Sequence, residues 1–67
     1  MAVAKVTEII ASSSKSFDDA VVNGIRRASK TIKDIRGAWV AQQKIKVEEG
    51  KITEFRVVMR VTFVLGD

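Results

Sequence analysis

Residues 52–65, ITEFRVVMRVTFVL, decide the fold. Phe55, Val57, Met59, Val61, Phe63 and Leu65 place an apolar side chain at every second position. Glu54, Arg56, Arg60 and Thr62 alternate with them, and Val58 and Val64 are the apolar exceptions. A period of two marks a strand with one face on a core. The run contains no Pro or Gly and is rich in Val and Phe, which suit a pleated, half-buried surface. At ~3.3 Å per residue it would span roughly 46 Å. A compact chain of this length has a radius of gyration of about 11 Å and a diameter under roughly 30 Å. The strand must therefore bend sharply around a helix or run past its own domain into a neighbour. Either way its second face should meet a partner. Left bare, that face would invite aggregation, which Arg56 and Arg60 relieve only in part.

Working back from this strand, Glu48, Glu49, Gly50 and Lys51 form a turn, and residues 38–47 read as the strand before it, antiparallel to the last. The pattern of this second strand changes phase midway. Val40 has one parity, and Ile45 and Val47 have the other. A bulge near Gln42 and Gln43 reconciles them, placing Val40, Ile45 and Val47 toward the helix and Trp39, Lys44 and Lys46 on the opposite face. Residues 3–11 read as the first strand, with apolar residues on both sides, and Ser12, Ser13, Ser14 and Lys15 as a polar loop. Ser16 is placed to cap a helix, with Asp18 in its first turn and Asp19 standing where a capping box has Glu. Phe17, Val21, Ile25, Ala28, Ile32 and Ile35 recur at steps of three or four, which predicts an amphipathic helix to about Ile35, closed by Gly37 in a left-handed cap. Gly24 lies beside this stripe, where a missing side chain permits close approach. A helix between the first two strands makes those strands parallel, so a fully antiparallel sheet needs the last strand in the middle. The expected fold is α+β, β-α-β-β, with a three-stranded sheet in the order 1-3-2 against one helix, in a single domain over residues 1–67.

A 67-residue chain builds only a marginal core, and it contains no cysteine or histidine to supply a disulfide or a common transition-metal site. Association of copies is the remaining way to bury enough surface, so a homo-oligomer is expected. No signal peptide or apolar span is visible, which predicts a cytoplasmic location and no membrane partner. Catalysis is poorly supplied. No His or Cys can act as base or nucleophile, Glu48 and Glu49 suit a solvated turn, and no Gly-rich phosphate loop precedes the helix. A binding role is expected, without catalytic or metal-ligating residues.

Trp39, the single tryptophan, is then the residue of interest. It can fill a core, anchor an interface or stack on a planar ligand. Beside Arg56, Lys44 and Lys46 on one sheet face, a broad indole suits an aromatic anion, or stacked bases. Arg56 and Arg60 also suit gatekeeping of the sheet or salt bridges between subunits, with Glu54 or Glu8. A net charge of +4 is too modest to make nucleic acid the expected partner, although Trp39 and the basic positions Arg26, Arg27, Lys30 and Lys33 would be its route.

The chain resembles the dodecins, small flavin-binding proteins that assemble as hollow dodecamers. The resemblance runs through Lys5-Val-Thr-Glu-Ile-Ile, the serine-rich loop, Ser16-Phe-Asp-Asp-Ala-Val, Ile35-Arg-Gly-Ala-Trp39 and the final strand. It implies storage or sequestration of flavin, with paired tricyclic rings stacked between symmetry-related tryptophans. Trp39 matches the stacking position. Lys46 matches a basic residue that addresses the phosphate of FMN, with Lys for Arg. Arg56 stands where flavin-binding members carry Gln. An arginine there is similar to a flavin-free branch, which lacks the tryptophan. Lys44 replaces a residue often acidic, and Val64 a second basic position. The resemblance thus implies Trp39, Arg56, Lys46 and Lys44 as the flavin site and, because of the added positive charge, FMN ahead of riboflavin. The alternative it leaves is a flavin-free shell that is structural or takes another ligand or cation.

Overall fold

In a computed structural model, which describes residues 3–66, the chain runs β1 (Ala4–Ser13), α1 (Phe17–Ala28), β2 (Ile35–Glu48) and β3 (Lys51–Val64). The sheet order is β1-β3-β2, and both pairings are antiparallel. The strand with the most regular alternation therefore takes the centre, as its apolar content requires. Val57, Met59 and Val61 are fully buried on its inner face, and Ala20 of α1 clusters with Val57 and Met59. Ile9, Ala11, Phe17, Val21 and Ile25 complete the cluster. Phe17 meets Phe55 edge to face, with ring centroids 5.2 Å apart, the arrangement that aromatic quadrupoles favour.

Ser16 caps α1, its Oγ accepting from the Asp19 N–H at 3.0 Å. The Asp19 carboxylate does not complete a capping box. Instead it accepts from Ser13 Oγ at 2.6 Å and from Asn23 Nδ2 at 3.1 Å. That contact fixes the end of β1, so Ser12 and Ser13 belong to the strand and not to the expected loop.

The helix stops at Ala28, not near Ile35. Ser29 Oγ donates to the Ile25 carbonyl at 2.8 Å, and Thr31 Oγ1 to the Ala28 carbonyl at 3.3 Å. Short polar side chains that bind nearby carbonyls compete with the helical ladder. The N–H groups of Lys30 and Thr31 tighten to i−3 partners, as helix ends do. The left-handed residue is Asp34 (φ 59°), not Gly37, which lies inside β2. Asp tolerates this conformation better than most side chains. Ile32 and Ile35 continue the helical spacing but are used by the connection and by the first residue of β2. At the hairpin tip Glu49 and Gly50 both have positive φ, the two-residue turn whose twist matches that of its strands.

Gly24 is where α1 touches the sheet. A Cβ there would lie 2.7 Å from Met59 Cε and 2.8 Å from Ala11 Cβ. Met59 can yield, but the Ala11 Cβ moves only with its strand. Gly24→Ala is therefore expected to destabilise the protein by about 1–2 kcal/mol, the overpacking cost exceeding the gain in helix propensity. Denaturant unfolding measures this; an unchanged or raised midpoint would show that the helix recedes freely.

The central strand runs past its own domain. β1 pairs with β3 only from Phe55 onward, while β2 follows β3 to Lys51. The hairpin tip projects as an arm, and the molecule measures 52 × 19 × 13 Å with a radius of gyration of 13.8 Å. Its surface of 5080 Å² exceeds the about 4,200 Å² of a compact chain of this mass. Val47 and Ile52 stand half exposed on the arm, as does Ile45 at its base.

Candidate functional site

The open face of the sheet, opposite α1, is set by one irregularity. Val40 pairs with Met59 and Gln42 with Val58, so Ala41 is an extra residue between them. The bulge falls just before the expected Gln42 and Gln43. It restores parity: Val40 and Ile45 share the inner face with Met59 and Phe55, while Trp39, Gln42, Lys44 and Lys46 share the open face, opposite Arg60, Val58, Arg56 and Glu54. β2 therefore presents, in order along one face, an indole, an amide and two ammonium groups.

Of the four expected site residues, three come together. Lys44, Lys46 and Arg56 line a shallow hollow of about 390 Å³ with Ile45 and Glu54. Trp39 lies on the same face but farther along. Its partner Arg60 is four positions from Arg56, about 13 Å at strand spacing. One copy thus offers an aromatic end and a cationic end, not a single cluster. Trp39 is 49% exposed. The indole fills no core, so of its three readings the interface anchor and the stacking platform remain.

Lys44 stands directly across from Arg56, a like-charge pair that a sheet ordinarily avoids. Glu54 relieves it, its Oε2 lying 2.8 Å from Arg56 Nη2. Arg60 Nε reaches Glu8 Oε2 at 3.5 Å, and Lys46 Nζ reaches Glu48 Oε1 at 3.5 Å. The acidic partners of Arg56 and Arg60 are the expected Glu54 and Glu8, but both pairs form within one chain and not between subunits as the sequence suggested. Two further residues of this face, Gln42 and Glu54, stand outside the four expected site residues. Strand parity identifies Glu54, two positions before Arg56. Gln42 is legible only once the extra residue is fixed at Ala41. Among the described residues no group of three His, Cys, Asp or Glu side chains is placed to hold a metal ion, and no helix is long and apolar enough to cross a membrane.

The dodecin family model matches residues 3–66. The chain belongs to the dodecin family. It is 39% identical over 64 residues to calcium dodecin of Mycobacterium tuberculosis, covering 94% of this chain and 89% of that one. The structure of a dodecin from Streptomyces davaonensis superimposes with a TM-score of 0.94 at 32% identity, covering 98% of this chain and 97% of that one. A crystal structure of the Mycobacterium tuberculosis calcium dodecin, described as having a novel calcium-binding site, matches with a TM-score of 0.82 and 35% identity over 96% of this chain and 91% of that one. The sheet order and the single helix reasoned from the sequence are the dodecin arrangement.

Proposed function

We propose that this dodecin assembles as a hollow dodecamer and stores flavin, FMN in preference to riboflavin, in pairs stacked between Trp39 side chains of neighbouring copies. The observation that carries this reading is the half-exposed Trp39 on the open sheet face, with three cations farther along the same face. A planar tricycle suits the indole, with stacking worth about 1 kcal/mol per aromatic contact beyond burial. Lys46 and Lys44 meet the phosphate or the ribityl chain, and Arg56 donates toward the ligand from across the strand pair. The role is binding without turnover, in a cytoplasmic protein. Titrating the apo-protein with FMN and riboflavin tests the reading: flavin fluorescence is quenched at micromolar concentration. Absence of quenching from an intact assembly would overturn it.

A second reading is a flavin-free shell that takes another ligand or a cation. It is favoured by the Arg56–Glu54 pair, which already engages the guanidinium, and by the calcium-named relative. A calcium site would then need ligands from more than one copy. Arg56→Gln separates the two readings. On the flavin reading the variant still binds riboflavin, and its preference for FMN falls about fivefold, the factor for ~1 kcal/mol from one solvated charge. If flavin binds only to the variant, the second reading holds for the native chain.

A further inference from the structure

The flavin ring places a demand on the protein that Arg56 does not meet. Its pyrimidine edge presents an imide N–H, a donor, flanked by carbonyl acceptors. A guanidinium carries donors and no acceptor, and Arg56 is already turned to Glu54. Trp39 offers one indole N–H and no acceptor. A buried imide N–H left without a partner is costly to the complex.

Gln42 stands between these two residues. The extra residue Ala41 turns Gln42, and not Gln43, onto the open face. There it lies opposite Val58, one cross-strand pair from Trp39–Arg60 and one from Lys44–Arg56. Two positions of β3 separate Val58 from Arg60, about 7 Å at strand spacing, within reach of the edge of a ring stacked on the indole. Its side chain is exposed. Val58 carries no polar side-chain atom, so nothing directly across the strand pair competes for the Gln42 amide. A primary amide both accepts and donates, which suits the imide edge.

Resting on the flavin reading above, we propose that Gln42 is the ring-edge residue of this site: its amide carbonyl accepts the imide N–H, and its NH2 donates to an adjacent ring carbonyl. The bulge at Ala41 then has a functional consequence, because an unbroken strand would present Gln43 and point Gln42 at the helix. Trp39, Gln42, Lys44 and Lys46 read along the strand as ring, ring edge and charged tail.

The test removes the hydrogen bond from each side. Riboflavin and 3-methylriboflavin, whose imide N–H is replaced by N–CH3, are titrated by fluorescence quenching into the assembled wild-type protein, Gln42→Leu and Gln42→Glu. Wild type should bind the methylated ligand about threefold to tenfold more weakly, the span of one net hydrogen bond. Gln42→Leu should bind both ligands with equal affinity, near that of wild type for the methylated one. Gln42→Glu, which keeps an acceptor, should still prefer the unmethylated ligand. Equal wild-type affinities for the two ligands would overturn the assignment without any variant. So would an undiminished preference in Gln42→Leu. Failure of wild type to bind riboflavin or FMN at all would instead refute the flavin reading on which the assignment rests.

Discussion

Trp39→Ala is expected to weaken flavin binding by on the order of a hundredfold while leaving the assembly intact. An aromatic side chain buried against a ligand contributes about 1.5–3 kcal/mol, and the stacking geometry adds about 0.5–1.5 kcal/mol. Together these exceed what any one exposed cation of the face supplies, since a solvated ion pair is worth only about 0–1 kcal/mol. The indole makes no part of the protomer core, so its loss should scarcely change unfolding. Trp39→Phe, which keeps a smaller face, should fall between, about tenfold weaker than wild type. Fluorescence titration gives the affinities, and sedimentation confirms that the particle is unchanged. Loss of the assembly in Trp39→Ala would mean that the indole is chiefly an interface anchor. Unchanged affinity would remove it from the site.

The fold was legible because its deciding features are periodic. The alternation from Phe55 to Leu65 names the central strand. The antiparallel hairpin and the returning helix leave 1-3-2 as the order that makes all pairs antiparallel, and the pairing is that one. The bulge was legible for the same reason, since Val40 and Ile45 cannot share a face without an extra residue, and Ala41 supplies it. The helix end was not legible. Ile32 and Ile35 extend the helical spacing past Ala28, and periodicity does not reveal that Ser29 and Thr31 bind the last carbonyls. Gly37 misled in the same way, because Asp34 took the left-handed conformation usually assigned to glycine. For the site, parity placed Trp39, Lys44 and Lys46 on one face but gave no distance along it. Separation of the indole from the Arg56 hollow follows from register, which depends on where the extra residue falls.

Ile45→Asp combined with Val47→Asp is expected to abolish assembly and, with it, cooperative folding. Both side chains are about half exposed in the protomer, 49% and 55%, so polar replacements there would cost little in a chain that stood alone. The core of this protomer is slight. Among the described residues the fully buried ones are few and small apart from Met59, and the surface exceeds that of a compact protein of the same mass by about a fifth. The arm carries Val47 and Ile52 beyond the last β1 pair, with Ile45 at its base opposite Phe55, and a neighbouring copy is the available cover. An unpaired carboxylate forced into that contact costs about 3–5 kcal/mol, comparable to the whole stability that a core of this size supplies. Sedimentation velocity should show a small species in place of the shell, and circular dichroism should lose its strand signal without a cooperative melt. A well-folded single subunit would show that the protomer core suffices. An intact shell would place the subunit contact elsewhere and leave the projecting arm without a role in assembly.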